Sequence, residues 1–397
     1  MKKILLLGGS AQQVVAIETA KRLGYYTVLC DFLPDNPGQY HADTFYLVST
    51  TDKEAILKVA QKEAIDGILA YASDPAAPTA AYVAEKMGLP TNPYRSVDAL
   101  CNKDKFRTFL AENGFCTPRA CGFSSSEEAR ARIGEFVLPI IIKPVDSSGS
   151  KGATVLHSLE GLDAALEFAF SFSRGRRIVI EEFIEKKHPY LIGGDIFVQE
   201  GRVILWGLLN CHRDQRVNPL VPVGKSYPLC LDEADADRVK KTLQEMVDKL
   251  GIRFGAMNVE LVIDAHNRVF PIDVGPRNGG NMIPDLLGMI FGVDIVEMTV
   301  QAAMGETIPC SPSQSSDCYA THNLHAAQSG VLDHVWYSPE IERYIVRKNE
   351  YKTEGAPVEF FDNAAKALGI VFLRFDRKDE MDHYLGNIAD HIQIKLK

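Results

Sequence analysis

A loop rich in glycine and serine follows a short apolar strand in the stretch LPIIIKPVDSSGSKGATVL, residues 138–156. Lys143 lies on that strand, and the loop consists of Ser147, Ser148, Gly149, Ser150, Lys151 and Gly152. Backbone N–H groups and hydroxyls of such a loop can close over phosphate oxygens, because glycine permits a close approach. Lys143 can reach the same phosphates as a point charge. Taken alone, the loop could also be a solvated turn.

The position of Lys143 excludes one familiar kind of phosphate loop. A Walker A motif carries its lysine at the end of the loop and continues directly into a helix. Here the lysine precedes the glycines, and a second strand, ATVLHS, follows them. The pattern therefore predicts a hairpin between antiparallel strands that acts as a lid over terminal phosphates.

Two acidic residues lie on neighbouring predicted strands further along the chain. Glu260 lies in NVELVID, and Asp273 lies in FPIDVGPRNGGN. Facing carboxylates on adjacent strands can share Mg²⁺ ions and bridge them to phosphates. Arg277 and Asn278 follow on a glycine-rich turn that the core alone does not explain. A surface hairpin with paired charges is the alternative.

Two further features could complete a nucleotide site. The segment IVIEEFI, residues 178–184, ends in carboxylates and then in Phe-Ile. This form is typical of a linker whose backbone groups pair with a purine edge, although two solvated acids at a strand end would look the same. Lys103 lies on a predicted helix before the loop, where it could meet another phosphate or simply be solvated.

Alternating strands and helices are predicted for the first ninety residues. The strands KILLLGG, YTVLCD and IDGILAYA alternate with three amphipathic helices, which implies a parallel sheet. Gly9 and Ser10 lie in the turn after the first strand, where such sheets hold ligands. Asp31 ends the second strand, where a dinucleotide fold places its ribose-binding acid. The third glycine of GxGxxG is missing, and Gln12 and Gln13 follow instead, so NAD binding is disfavoured.

The rest of the chain divides into helices and strands that would surround the lid and the two acids. SVDALCNKDKFRTFLAENG reads as one helix, YLIGGDIFVQ and RVILWGLLN flank a hairpin turn, and residues 210–230 read as irregular. The last ninety residues read as short strands with one or two helices. We expect three domains, at residues 1–95, 96–307 and 308–397, with a lid subdomain at about 119–185.

Composition limits the classes of partner. The chain has 397 residues, a net charge of −9 and no basic block, which argues against nucleic acid as a partner. No apolar run approaches the ~18 residues of a membrane span. The eight cysteines lack metal-ligand spacing, so we expect reduced thiols and a cytoplasmic location.

In order and spacing, these features resemble the ATP-grasp superfamily. The resemblance is greatest to the carboxylate–amine ligases that include glycinamide ribonucleotide synthetase, biotin carboxylase and the modules of the carbamoyl phosphate synthetase large chain. It implies an α/β ATP-grasp fold with a Rossmann-like pre-ATP-grasp domain, a two-part α+β grasp domain and a C-terminal cap. Five loose motifs in the right order carry the resemblance, which extends over nearly the whole chain.

The resemblance assigns roles around ATP. Lys103 and Lys143 would hold the α- and β-phosphates, and the loop from Ser147 to Gly152 would cover the γ-phosphate. The adenine hinge would comprise Glu181, Glu182, Phe183 and Ile184. Within that hinge the second and fourth residues would offer backbone groups, and the phenylalanine would pack behind. Lys187 or His188 falls near the ribose-contacting position.

The resemblance also implies Mg²⁺, which Mn²⁺ could replace. Glu260 and Asp273 match the metal ligands, and Arg277 matches the arginine that steadies the transferred phosphoryl group. The usual motif Glu-x-Asn-x-Arg reads DVGPR at residues 273–277, so Gly275 lacks the neutral asparagine ligand. Water, Asn278 or Asn281 could fill that gap.

The activity implied is ATP-dependent ligation of a small-molecule carboxylate to an amine through an acyl phosphate, with release of ADP and phosphate. The alternatives are a bicarbonate-activating carboxylase or carbamoyl-phosphate-synthase-like module, and an ATP-binding regulatory protein with weakened catalysis. Candidate substrate contacts are Gly9, Ser10, Arg213, Arg216 and Asn278. A homodimer would be in keeping with the relatives. His322 and His325 read as part of one strand and should point to opposite sides.

Overall fold

A four-stranded parallel sheet forms the first part of the computed structural model, which describes residues 1–147, 149–313 and 315–397. Its elements are β1 (Lys3–Leu7), α1 (Val14–Arg22), β2 (Tyr26–Asp31), β3 (Thr44–Leu47), α2 (Lys53–Glu63), β4 (Gly67–Leu69) and α3 (Ala77–Met87). The strand order is β3-β2-β1-β4, and every neighbouring pair is parallel. The predicted α/β arrangement is confirmed, with β3 as an additional edge strand.

Two helices, rather than the single one predicted, leave this sheet. They are α4 (Tyr94–Leu100) and α5 (Lys103–Glu112). The backbone N–H of Lys103 donates to the carbonyl of Val145 over 3.0 Å, so the chain turns away from the helical path at Asn102. This break places Lys103 in the first turn of α5, next to the chain that leads into the glycine-rich loop.

An antiparallel sheet carries the glycine-rich loop. Its elements are β5 (Ala120–Phe123), α6 (Ser126–Arg132), β6 (Ile140–Pro144), β7 (Thr154–Leu156), α7 (Leu162–Phe172) and β8 (Ile178–Glu182). The strand order is β5-β8-β6-β7. Strands β6 and β7 pair antiparallel on either side of the loop, as the lid prediction requires. Helices α6 and α7 contribute apolar side chains to the same small core.

The central part of the chain forms most of a large sheet and the helices that cover it. Its elements are β9 (Leu191–Gln199), β10 (Arg202–Arg213), β11 (Pro222–Tyr227), α8 (Glu233–Leu250), β12 (Phe254–Ile263), β13 (Val269–Gly275), α9 (Ile283–Phe291) and α10 (Ile295–Ala303). The two-residue turn between β9 and β10 confirms the predicted hairpin. Strand β11 lies inside the stretch that we predicted to be irregular, because its polar residues hide the alternation of an apolar strand.

The C-terminal region extends the same sheet. Its elements are β14 (Cys318–Leu324), β15 (Gly330–Tyr337), α11 (Pro339–Glu342), β16 (Ile345–Glu350), β17 (Pro357–Val358), β18 (Gly369–Phe375), α12 (Lys378–Gly386), α13 (Ile388–His391) and β19 (Ile392–Leu396). The eight-stranded order is β13-β12-β9-β10-β11-β14-β18-β16, beside a small sheet β17-β15-β19. One sheet therefore spans the expected boundary at residue 307, and the domain limits stay predictions.

Helices cover both faces of the large sheet. Helix α8 repeats buried apolar residues at helical spacing, begins at the Asp232 cap and ends at Gly251, whose φ is +65°. It packs with α5 on one face, whereas α9 and α10 pack on the other. No described helix alone has the length and apolarity to cross a membrane; α9 and α10 reach that threshold only as a pair bent by 112°.

We predict that Leu209→Ala lowers the free energy of unfolding by about 2–5 kcal/mol, because a buried side chain leaves a cavity in a packed core. Leu209 is completely buried in the core between the sheet and α9. Urea unfolding measures the change. Leu47→Ala, at an exposed leucine on β3, is the matched control and should change stability by less than about 0.5 kcal/mol. Equal losses would contradict this packing.

Candidate active site

The two predicted metal ligands face each other across adjacent strands. Glu260 on β12 pairs directly with Asp273 on β13, so their side chains share one face of the sheet. The Lys103 ammonium lies 3.9 Å from an Asp273 oxygen, and an Arg213 nitrogen lies 3.7 Å from a Glu260 oxygen. Two carboxylates flanked by two cations form the polar centre of the candidate site.

A β-bulge sets the position of Asp273. The register slips immediately after Glu260, so that Leu261 pairs with Pro271 and Ile272 becomes the extra residue. Arg107 of α5 donates to both carbonyls that the bulge exposes, over 3.2 Å to Pro271 and 2.7 Å to Ile272. Bulges beside active sites commonly redirect a side chain. Arg107 thus holds the strand in the shape that presents Asp273.

The same arginine anchors the strand that leads to the predicted hinge. Arg107 donates to both carboxylate oxygens of Glu181, over 2.9 and 3.2 Å, and Lys143 lies 2.8 Å from one of them. All three side chains are buried. Burial raises the pKa of Glu181, but the charges of Arg107 and Lys143 outweigh it and lower that pKa to about 2. Burial lowers the pKa of Lys143.

Arg107 was not predicted from the sequence. The sequence did contain a pattern that could have indicated it. Arg107 follows Phe106 directly and precedes Leu110 by three residues, on the apolar face of a helix. A cation at a core-facing position needs a buried partner. The structure also assigns the Glu181 side chain to this charge cluster, which leaves only backbone groups of that residue for a nucleotide.

The lid lies close to the rest of the site. Lys103 donates to the carbonyl of Ser147 over 2.7 Å, and the hydroxyl of Ser150 donates to the carbonyl of Leu220 over 2.8 Å. A side chain at Gly152, whose φ is +75°, would collide with Phe172 and Pro144 at 2.9 Å. Ser148 belongs to the predicted lid but lies outside the described residues.

The predicted adenine hinge differs from the expectation at Phe183, and at Glu182 one of the two backbone groups is already used. The N–H of Glu182 donates to Arg119 and that of Phe183 to Pro139, so at Glu182 only the carbonyl could serve a ligand. Phe183 is 38% exposed and does not pack behind the hinge as predicted. Ile184, whose backbone group completes the proposed hinge, lies two residues beyond the end of β8. The purine contact itself stays a prediction.

His188 and Lys187 have partners within the protein. The His188 ring accepts the N–H of Ile263 at Nε2 over 2.9 Å and contacts the Tyr190 carbonyl through Nδ1. Burial lowers the pKa of His188, consistent with a neutral ring that joins two chain segments. The Lys187 ammonium lies 2.6 Å from Asp235. A ribose contact by the His188 ring would cost one of its two contacts, whereas the Lys187 ammonium keeps a free donor. A ribose contact at Lys187 stays a prediction.

Arg277 reaches into the first part of the chain. Its Nε and Nη2 donate to the two carboxylate oxygens of Asp74, over 2.7 and 2.5 Å. Burial lowers the pKa of Arg277, but the Asp74 charge outweighs it, so the net shift is upward. Burial alone would raise the pKa of Asp74, but Arg277 lowers it. Asp74, which lies between β4 and α3, was not predicted from the sequence.

Hydrogen bonds to Asp195 fix the turn that follows Arg277. Asp195 accepts two contacts from the Gly279 N–H, at 2.8 and 3.0 Å, and one from Asn258 at 2.8 Å. Burial raises the pKa of Asp195 to about 6. Asn278 is completely buried, lines a cavity of about 90 Å³, and its amide makes no hydrogen bond within the described parts of the chain. A substrate contact by Asn278 would therefore require the turn to move.

A polar pocket of about 320 Å³ adjoins Glu260 through Arg213. Arg216 also lines it, but this arginine forks onto Asp214 over 3.0 and 2.7 Å. His322 and His325 line the same pocket, with ring centroids 5.3 Å apart. The prediction that they point to opposite sides is wrong, because β14 ends at Leu324 and the chain turns before His325.

A buried cation lies on the same sheet face. Lys225 pairs with Cys211 in the register and donates to its sulfur over 2.7 Å. No carboxylate of the described residues lies within ion-pair distance of this ammonium. A side chain at Gly193 would come within 3.0 Å of it, and Gly193 pairs directly with Glu260. The missing side chain therefore lets the lysine extend toward the carboxylates.

The first turn of the chain is closed by hydrogen bonds among its own residues. The Gly9 N–H donates to Asp31 over 2.7 Å, so this carboxylate holds the turn together. Gln13 fills the space under Gly8 and donates to the Tyr71 carbonyl over 2.9 Å. The hydroxyl of Ser10 donates to Gln13 over 2.8 Å. Substrate contacts at Gly9 and Ser10 stay predictions.

The donor set suits Mg²⁺ completed by phosphate. No cluster of three or more His, Cys, Asp or Glu side chains that could hold a metal occurs among residues 1–147, 149–313 and 315–397. Mg²⁺ commonly takes one or two carboxylates and fills its remaining positions with water and substrate phosphates. Glu260 and Asp273 fit that pattern.

A family model and several known proteins match the sequence of this chain. The family model for the carbamoyl-phosphate synthase L chain, ATP binding domain, matches residues 102–311. A formate-dependent phosphoribosylglycinamide formyltransferase of Erythrobacter litoralis is 30% identical over 83% of this chain and 87% of its own. A Synechococcus protein of the same name is 33% identical, but the match spans 46% of this chain and only 48% of that relative.

Solved structures share the fold. Phosphoribosylglycinamide synthetase from Anaerococcus prevotii has a TM-score of 0.76 at 21% identity, with complete coverage of both chains. The L-amino acid ligase from Bacillus licheniformis has a TM-score of 0.80 at 20% identity, over 100% of this chain and 99% of that one. The biotin carboxylase domain of a Hydrogenobacter thermophilus carboxylase, crystallised with MgADP, has a TM-score of 0.73 at 17% identity, over 99% and 90%.

We predict that Glu181→Gln destabilises the fold by about 3–5 kcal/mol near neutral pH, because two buried cations lose their counter-charge. The folded pKa near 2 lies below the unfolded value, so the stabilisation is present above about pH 4.3 and is lost as the pH falls toward about 2. Urea unfolding across this range should show a flatter acid limb in the variant. Exposed Glu185→Gln is the control, and an unchanged acid limb in Glu181→Gln would contradict the assignment.

The family match covers the residues that build the described centre, from Lys103 to Arg277, and the similar structures place them in the same fold. The chain belongs to the family of the carbamoyl-phosphate synthase L chain ATP-binding domain, within the ATP-grasp superfamily.

Proposed function

We propose that this chain is an ATP-dependent carboxylate–amine ligase that works through an acyl phosphate and releases ADP and phosphate. The observation that carries the proposal is the facing pair Glu260 and Asp273, with Lys103 between the pair and the lid. Relatives named formate-dependent phosphoribosylglycinamide formyltransferase support it.

In the first step the γ-phosphoryl group of ATP moves to an oxygen of the acid, and its bond to the β–γ bridging oxygen breaks. Lys103 and Lys143 each use one N–H in the contacts described and keep two donors for phosphate oxygens. Mg²⁺ held by Glu260 and Asp273 would neutralise phosphate charge. Arg277, fixed by Asp74, steadies the transferred group.

In the second step the amine attacks the acyl carbon, and phosphate leaves with the oxygen that it received. Water would hydrolyse the acyl phosphate at this stage, so the site must exclude it. The lid already touches the chain around Leu220, and a side chain at Gly149 would lie 3.6 Å from Ala364. A lid fastened at Leu220 and lying close to Ala364 suits this requirement.

The acid is proposed to bind between Glu260 and the polar pocket. Arg213 borders both, and Lys225 adds a buried positive charge on the same face. Arg216 and Asn278, by contrast, are occupied or buried. Small carboxylates such as formate fit this account. Bicarbonate is the second candidate, because the matching family model describes carbamoyl-phosphate synthase.

A homodimer in the cytoplasm completes the proposal. The similar Hydrogenobacter domain is described as a dimer. All eight cysteines are free thiols, which suits a reducing compartment. Sedimentation at several protein concentrations tests the dimer, and a monomer at every concentration would refute it.

The proposed reaction predicts nucleotide products that depend on a matched pair of substrates. A panel of acids (formate, bicarbonate, amino acids) is crossed with amines, including phosphoribosylglycinamide and ammonia, with ATP and Mg²⁺. ADP and phosphate should rise together only with one acid–amine pair. AMP formation would contradict the acyl-phosphate route. Turnover with bicarbonate and ammonia would favour the carbamoyl-phosphate alternative.

With the active pair, we predict that Glu260→Gln and Asp273→Asn each lower kcat by about 100- to 1000-fold, because charge on the transferred group loses compensation. Glu245→Gln is the matched control, since Glu245 is an exposed acid of α8. Unchanged turnover in both metal-ligand variants would contradict the proposal.

A further inference from the structure

Gly275 leaves a space that two charged groups fill. A Cβ atom at this position would lie 2.7 Å from an oxygen of Asp74, and 3.1 Å from the guanidinium carbon of Arg277. The backbone of Gly275 does not adopt the left-handed conformation that favours glycine. Space, not backbone freedom, therefore demands glycine here.

The groups in that space form a specific ion pair. Asp74 receives two parallel hydrogen bonds from Arg277, and the Nη1 of the same arginine donates to the Asn278 carbonyl over 2.9 Å. A planar guanidinium held in this way at three N–H groups has a fixed orientation. Two of its five donors are left for an anion.

We propose that Asp74 is a positioning residue for phosphoryl transfer and that Gly275 is required because any side chain would displace it. The inference rests on the proposed function and deepens it: a loop of the first sheet, between β4 and α3, becomes part of the catalytic site. Arg277 follows Asp273 by four residues, just beyond the end of β13. Asp74 thereby links the first sheet to the carboxylate pair.

The alternative is that the ion pair only fastens the first sheet to the rest of the protein. An ion pair with only that role would change the stability of the protein, but it would not change kcat relative to KM. Asp74 in a positioning role would change turnover in the folded enzyme. It would also change the preference for ATP over ADP, because Arg277 would contact the γ-phosphoryl group.

A double-mutant cycle separates these roles. The variants are Asp74→Ala, Gly275→Ala and the double variant, with Asp74→Asn as a form that removes charge and keeps shape. Gly280→Ala, in the same turn, is the control for the glycine, because its Cβ would meet its nearest neighbour, Gln12, only at 3.6 Å. Circular dichroism and thermal melts confirm which variants are folded.

We expect Gly275→Ala and Asp74→Asn each to lower kcat on the order of 100-fold, with a smaller change in KM for ATP, as a misplaced catalytic group does. In the Asp74→Ala background, Gly275→Ala should lower kcat by less than about threefold, because the closest contact, with the Asp74 oxygen, is gone and Arg277 has already lost its partner. Gly280→Ala should behave as the unaltered protein. The ratio of the Kd values for ADP and ATP should fall toward one in the same variants that lose turnover.

Full additivity of the two substitutions would overturn the inference, as would variants that lose melting temperature while keeping kcat and the nucleotide ratio. The ratio of the Kd values for ADP and ATP is measured without an acid or an amine. This test is therefore separate from the test of the proposed ligase reaction. If no acid–amine pair supports turnover but the ratio still responds through the cycle, the ligase proposal fails and the positioning role of Asp74 stands. An unaltered ratio throughout would refute the role itself.

Discussion

The buried contact of Arg107 with Glu181 is the interaction on which the site depends. One guanidinium binds the carboxylate at the end of β8 and the two carbonyls of the bulge in β13. Lys143, the lysine that precedes the lid, contacts the same carboxylate. A charge in a low-dielectric interior must be paired, and here the pairing fixes three separate strands relative to one another. The strands that carry the predicted hinge, lid and metal ligands are consequently fixed by one guanidinium and its partners.

A second ion pair completes this arrangement from the opposite side. Arg277 and Asp74 join the glycine-rich turn to the first sheet, and Gly275 gives them room. The departure from the usual ATP-grasp motif at this position thus has a physical counterpart elsewhere in the chain. Gly275 lacks the side chain of the expected asparagine ligand, and Asp74 and Arg277 occupy the space that this leaves.

Features carried by local pattern were predictable from the sequence. Strand alternation predicted the first sheet, and the pairing of Glu260 with Asp273 followed from two neighbouring strands. Features set by distant contacts were not predictable. The helix break at Asn102 depends on a bond to Val145, and the partner of Arg277 lies some two hundred residues away in sequence. His188 carried a polar signature, but its two bonds to Ile263 and Tyr190 gave it a structural role.

Isotope transfer tests the central claim most directly. The acid of the active pair is labelled with ¹⁸O in its carboxylate, and the phosphate released is analysed by mass spectrometry. An acyl phosphate requires one labelled oxygen to leave with the phosphoryl group, so the account predicts label in inorganic phosphate in step with product. Label that stays wholly in the product, or that appears in AMP, would contradict the acyl-phosphate route and with it the role assigned to this site.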